Sequence, residues 1–207
     1  HVLEKKINRD FNTLSKFILP SSYFPPIGYF KILQNQQNLL IENFEYFKRH
    51  SIRNRTSILG VNGIILMTVP IQRKNYSKNP INSIKIANND WKKNHLNSIK
   101  SAYGSSPFFI YYYEEIEKII NKDYVFLIDL NNEILEYFLN ELKITSNIKK
   151  TTEYTKSYPS ETLDYRINDF PVSSHNYQQV FAKNFIPNLS ILDLIFNLGP
   201  NSPEGIQ

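Results

Sequence analysis

The pattern of apolar and polar positions divides the chain into a strand-rich first third and a helical remainder. Phe17-Ile18-Leu19 is a short uninterrupted apolar run, the signature of a buried strand. It ends at Pro20-Ser21-Ser22-Tyr23-Phe24-Pro25-Pro26, where tandem prolines without N–H donors predict a rigid loop and Pro26 suits the start of a helix. That helix is expected to run through Leu33, and Asn38–Glu42 reads as a second strand. Two extended runs, Arg53–Leu59 and Ile64–Pro70, flank Gly60-Val61-Asn62-Gly63. Asn-Gly tolerates positive φ at both turn positions, so the segment predicts a β-hairpin. Ile84-Lys85-Ile86 is a candidate edge strand.

From Asp90 onward the period becomes that of a helix. Trp91, His95, Ile99 and Tyr103 recur at spacing four behind Asp90 as cap, and Gly104-Ser105-Ser106-Pro107 stops the helix. A second helix is predicted from about Phe108 to Ile120. A third, capped by Asp123, carries Phe126, Leu127, Leu130, Ile134, Leu135, Phe138 and Leu142 at a 3.6-residue period. Residues 145–176 are polar and irregular, with Asp164-x-Arg166 inside them. Leu189–Phe196 predicts a last apolar helix, with Asn188 as its cap and Gly199-Pro200 as its stop. Residues 1–14 read as an arm and 201–207 as a frayed tail. The expected fold is α/β: a single domain over residues 1–207, with a mixed sheet, a strand–helix–strand start, a hairpin, and a helical carboxy-terminal half packed on the sheet.

Composition narrows the chemistry. The 207 residues include no cysteine, which excludes disulfides, zinc ribbons, iron–sulfur clusters and thiol nucleophiles together. The four histidines, at 1, 50, 95 and 175, share no metal-ligand spacing, and no glycine-rich phosphate loop follows a strand. No cofactor or metal is therefore expected. No stretch approaches the roughly 18 apolar residues of a membrane helix, and the expected location is the cytoplasm. Fourteen tyrosines and fourteen phenylalanines against one tryptophan suit a firm core with polar tips at a groove. The net charge of +5 is compatible with nucleic acid, a nucleotide-sugar phosphate or anionic lipid as partner, and equally with a solubilising surface, because the lysines are dispersed.

Several constellations carry candidate chemistry. His95, on the Trp91–Tyr103 stripe, is a candidate general base, with Trp91 as a stacking floor. The alternative is a helix face packed on the sheet, with His95 hydrogen-bonded at its edge. On a strand over 53–59, Arg53 and Arg55 project to one face and Asn54 to the other, so two guanidinium forks would hold a phosphate or carboxylate. They would otherwise be surface arginines beside Glu42 or Glu45. Tyr23 and Tyr29, on a loop after the first strand, stand where open α/β sheets bind ligands, or pack as a structural turn. Ser190, His95 and Asp193 would make a triad, but no nucleophile-elbow sequence surrounds Ser190.

These residues also resemble a known family. Tyr23-Phe24-Pro25-Pro26-x-x-Tyr29-Phe30, Arg53-Asn54-Arg55, Thr68-Val69-Pro70, Trp91-x-x-x-His95, Tyr103-Gly104-Ser105-Ser106-Pro107 and Tyr177-Gln178-Gln179-Val180-Phe181 resemble, in order, blocks of the WbqC-like family, in its Bacteroidetes-type version. The closing Asn188–Pro200 segment is similar too. Many members carry His-Gln-Pro-x-Tyr where this chain has Leu19-Pro20-Ser21-Ser22-Tyr23, so a mechanism using that histidine does not carry over. The resemblance implies a bacterial transferase of O-antigen-type surface-polysaccharide synthesis, moving an acyl or aminoacyl group onto a nucleotide-linked amino sugar. It nominates His95 as catalytic base, and Tyr23, Tyr29, Arg53, Asn54, Arg55, Trp91, Tyr103, Tyr177 and Gln178 as substrate contacts. A different class, a non-catalytic module binding nucleic acid or a protein partner, is compatible with the basic charge and the tyrosines.

Overall fold

The computed structural model describes residues 16–72, 78–88, 90–172 and 175–207. The first apolar run forms β1 (Lys16–Pro20), and α1 (Ile27–Asn35) leads into β2 (Leu39–Glu42), which lies parallel to β1 with Ile18 opposite Leu40. Ile18 and Leu19 are fully buried, as expected of a central parallel strand covered on both faces. Two three-residue strands complete the sheet: β5 (Ile148–Lys150) beside β2 and β6 (Thr162–Asp164) beside β1, all parallel, in the order β5-β2-β1-β6. The segment expected to be irregular thus supplies both flanks of the sheet.

The hairpin is β3 (Arg55–Gly60) and β4 (Gly63–Thr68), antiparallel, with Arg55 opposite Thr68. It forms a sheet of its own rather than widening the parallel one. Gly63 takes the positive φ (112°) of the turn, while Asn62 does not, so the connection is closed by the glycine alone. Residues 84–86 make isolated bridges, Ile86 to Ile71 and Lys85 to Phe126, instead of a strand.

Helices α2 (Trp91–Tyr103), α3 (Phe109–Asn121) and α4 (Leu127–Glu141) follow the expected boundaries closely. Asp90 occupies the N-cap of α2 without a side-chain cap bond, and Phe126 rather than Asp123 precedes α4. Asp123 instead pairs at the surface with Lys92. Helix α5 (Ile191–Leu198) is buried on nearly every position. Its cap is Ser190, whose Oγ accepts from the Leu192 N–H, and not Asn188. Residues 202–205 form a short helix α6 and Ile206 is fully buried, so the tail is packed rather than frayed, held by its apolar contact with the core. The proposed arm over 1–14 lies outside the described residues. The buried apolar side chains of sheet, hairpin and helices form one continuous cluster, and no described helix is long and apolar enough to cross a membrane.

Candidate ligand cleft

Tyr23, Trp91 and His95 meet inside this core. The loop after β1 brings Tyr23, and the spacing-four stripe of α2 brings Trp91 and His95; the His95 ring lies 5.6 Å from that of Tyr23 and 5.1 Å from that of Trp91. The Tyr23 hydroxyl stands 2.8 Å from His95 Nδ1, and the imidazole also hydrogen-bonds the Thr68 carbonyl. Burial holds the His95 pKa down at about 4, against a smaller opposing effect of the Thr68 carbonyl, so the ring is neutral at neutral pH. A neutral ring that accepts from Tyr23 and donates to Thr68 satisfies all three groups, and leaves no lone pair for a substrate proton.

Thr68 carries the chain of contacts outward. Its Oγ1 accepts from Arg55 Nε at 3.0 Å, and Arg55 Nη2 lies 2.7 Å from His50 Nδ1. Since a guanidinium only donates, His50 accepts at Nδ1 and bears its proton on Nε2. The pair therefore offers donors only: the remaining Arg55 N–H groups and the His50 Nε2–H. Among the described residues no carboxylate forms an ion pair with Arg55. Arg55 is half-buried and His50 exposed, and both line an open cleft of about 530 Å³ with Pro26, Ser57, Asp169, Phe170, Asn188 and Ser190.

The backbone around this cleft is held away from its relaxed shape. His50 and Asn188, which line it, and Phe24 nearby in sequence have φ of 53°, 57° and 39°. Such values cost energy in non-glycine residues and gather at ligand sites. The starts of two helices clasp each other behind it. Asn188 Oδ1 accepts from the Gly28 N–H at 2.8 Å, the Leu189 carbonyl from Ile27 N–H, and the Pro25 carbonyl from Ile191 N–H. Segments 160 residues apart are thereby locked together. Gly28 is required at the clasp, since a Cβ there would stand 2.0 Å from the Pro171 carbonyl oxygen.

The other nominated residues lie elsewhere. Strand β3 starts only at Arg55, so Arg53 belongs to the preceding turn and the two arginines do not share a strand face. Arg53 is buried and grips Glu45 bidentately, Nε to Oε1 at 2.8 Å and Nη2 to Oε2 at 2.5 Å. Burial raises the Glu45 carboxyl pKa, with Arg53 counteracting. At the carboxyl ends of β2 and β6, buried Arg166 bridges Glu42 (3.0 Å) and Asp164 (2.6 Å), its guanidinium 4.9 Å from the Tyr158 ring centre. The sheet's usual ligand edge is thus filled by an internal ion cluster. Tyr29 is buried and donates to the Pro20 carbonyl. Asn54 donates to the Val69 carbonyl at 2.8 Å. Tyr177 donates to Asp193 at 2.6 Å, Gln179 donates to the same oxygen at 2.8 Å, and Tyr103 faces that carboxyl while its own oxygen accepts from Leu59 N–H. Gln178 is exposed. Ser190 Oγ donates to the Phe24 carbonyl, and neither His95 nor Asp193 hydrogen-bonds it, so no triad forms. His50 and Asp169 were not indicated by the sequence. Neither lies in a regular element whose period would mark it.

Among the described residues no group of His, Asp and Glu is arranged to hold a metal ion. Residues 21–169 and 156–204 match the family described as the WbqC-like protein family. The chain is also 24% identical over 223 aligned positions to "Uncharacterized protein Rv1507c" of Mycobacterium tuberculosis (strain ATCC 25618 / H37Rv), a match covering 92% of this chain and 96% of that one. No solved structure matches it.

Proposed function

This chain belongs to the WbqC-like protein family, and from that premise we propose that it is a cytoplasmic transferase of surface-polysaccharide assembly. In this reading the Arg55 cleft binds the diphosphate of a nucleotide-linked amino sugar, and an acyl or aminoacyl group passes to the sugar amine. The observation that supports it is the Arg55–His50 pair: two adjacent groups whose remaining hydrogen-bonding atoms are donors, with no carboxylate ion-paired to Arg55 among the described residues, lining a cleft of small-molecule size.

The neutral amine nitrogen attacks the acyl carbonyl carbon of an activated ester or thioester. A C–N bond forms, the bond to the departing oxygen or sulfur breaks, and the proton shed by nitrogen passes to that leaving atom. No protein nucleophile is needed, in keeping with a cysteine-free chain. Asp169, exposed at the same cleft, is the group we assign to relay the proton. His95 acts at one remove, by holding Thr68 and through it Arg55.

Calorimetric titration at low salt with a uridine diphosphate amino sugar and with inorganic pyrophosphate tests the reading. Both are expected to bind more tightly than millimolar, and Arg55→Gln to weaken both at least tenfold without lowering the melting temperature. Absence of binding by wild-type protein would overturn it. Salt-dependent binding of single-stranded DNA in its place would favour a nucleic-acid module.

A further inference from the structure

One edge of the hairpin is open along its outer part. The Asn54 carbonyl accepts from the Val69 N–H. Hydrogen-bonded pairs alternate in an antiparallel ladder, so those of the hairpin are Thr56 with Met67, Ile58 with Ile65 and Gly60 with Gly63. Ser57 and Leu59 on β3, and Ile64, Leu66 and Thr68 on β4, therefore direct their N–H and C=O groups away from the other strand. On the β3 side these groups are engaged: the Ser57 carbonyl accepts from the Ser190 N–H, and the Leu59 N–H donates to the Tyr103 hydroxyl. On the β4 side His95 meets the Thr68 carbonyl. Among the described residues nothing meets the outward groups of Ile64 and Leu66, whose side chains are 56% and 57% exposed.

Sheet edges are ordinarily blunted by shortness, charge, proline or a bulge. The parallel sheet obeys this, since it ends in strands of three residues and one of them carries Lys149 and Lys150. Strand β4 does not: Gly63-Ile64-Ile65-Leu66-Met67-Thr68 holds no charge and no proline, and its register with β3 is unbroken. We infer that this edge pairs with the same edge of a second copy of the chain, antiparallel about a two-fold axis at Ile65. In that register Ile64 of one copy and Leu66 of the other stand opposite, each donating its N–H to the other's carbonyl, and the axis repeats the pair. Their exposed side chains meet on one face as apolar cross-strand neighbours. The edge is thus complementary to itself in both its polar and its apolar groups, which is what selects a second copy as its occupant. Arg55 stands opposite Thr68 and so shares the face of Leu66 and Ile64. The two hairpins then form one continuous sheet with both Arg55 clefts open to the same side. A contact this short lies at the low end of interface sizes, so the pair forms reversibly.

Sedimentation of the whole chain at increasing concentration tests the pairing. The mass is expected to rise from that of one chain to twice that value. Leu66→Lys places a charge on the edge, and Leu66→Pro removes an outward N–H while sparing the bonds to β3. Both should stay monomeric at every concentration. A single cysteine tests the register without weakening the edge, because the chain has no other thiol. In Ile65→Cys the two sulfurs face each other across the axis, on Cα atoms about 4.5 Å apart, within the span of a disulfide. Mild oxidation with copper phenanthroline should convert that variant to a covalent dimer. Val61→Cys, 69% exposed at the turn and away from the axis, should remain a monomer. A wild-type chain that is monomeric at all concentrations overturns the pairing, as does a dimer that both Leu66 variants retain. A dimer lost in Leu66→Lys but kept in Leu66→Pro shows apolar contact without strand pairing and overturns the proposed geometry. Equal cross-linking at Ile65→Cys and Val61→Cys overturns the register.

Discussion

The Tyr23 hydroxyl lies 2.8 Å from His95 Nδ1 although 72 residues separate them, and both side chains are buried. The contact ties the loop after β1 to α2, and burial keeps the imidazole neutral. Its pH consequence has a definite sign. The His95 pKa is lowered from 6.5 to about 4 by burial, so between those values the unfolded chain binds a proton that the folded chain refuses. This contribution to stability is complete above pH 6.5 and is lost as pH falls through about 4, amounting to roughly 3 kcal/mol. Urea unfolding at several pH values should show that loss. His95→Gln should flatten the slope between pH 5 and 6 by about 1.4 kcal/mol per pH unit, and an unchanged slope would refute the assignment.

Two arginines two residues apart should behave in opposite ways. Arg53→Ala strands Glu45, which is buried and gripped bidentately, at a cost of about 3–5 kcal/mol. Arg55→Ala removes a half-buried group that faces the cleft, costs stability less than about 1 kcal/mol, and weakens diphosphate binding. Chemical denaturation and calorimetry on both variants separate the effects. Matching stability losses would show that Arg55 is structural.

The legible parts of this fold were those with a strong local period or turn. Asn62-Gly63 announced the hairpin, and the spacing of Trp91, His95, Ile99 and Tyr103 announced α2 and the face it buries. Strands β5 and β6 were not legible, because three residues cannot establish an alternation and Lys149-Lys150 reads as polar surface. The Arg53–Arg55 pair was misplaced because the two-residue period holds only inside a strand, and Arg53 precedes it. His50 was invisible: its role comes from a left-handed backbone at φ 53° that turns the loop toward Arg55. Asn188 was assigned to the helix next to it in sequence, whereas it caps α1, a choice set by tertiary packing.

Asp193 is a buried carboxyl that receives Tyr177 and Gln179 on one oxygen, and desolvation raises its pKa despite those donors. A raised carboxyl pKa favours the folded state at low pH, and the benefit is lost as pH rises through the folded value. Asp193→Asn keeps an acceptor for both donors and removes the buried charge. Its stability relative to wild type should therefore improve as pH increases from 4 to 7. Asp193→Leu leaves both donors unpaired and should cost about 2–4 kcal/mol at pH 4, a cost that shrinks toward pH 7 by the same amount as the Asn variant gains. A pH-independent difference between wild type and the Asn variant would contradict the raised pKa.

Asn188 performs two tasks that substitution can separate. Its Oδ1 caps the start of α1 through the Gly28 N–H, and its backbone sits at φ 57°, a conformation that asparagine, aspartate and glycine tolerate better than other residues. Asn188→Asp keeps an acceptor oxygen and adds a negative charge at a helix N-terminus, so stability should stay within about 0.5 kcal/mol of wild type or rise. Asn188→Gly relieves the backbone but abandons the cap, for a loss of about 1 kcal/mol. Asn188→Ala forfeits the cap and strains the backbone, for about 2–3 kcal/mol. Because Asn188 also lines the larger cleft, the same series should alter diphosphate binding in a different order, with Asp weakest through charge repulsion. Thermal denaturation ranks the stabilities and calorimetry the affinities. If the two rankings coincide, Asn188 acts on the cleft only by holding the helices together; if Asp is stable yet binds least, its side chain faces the anion.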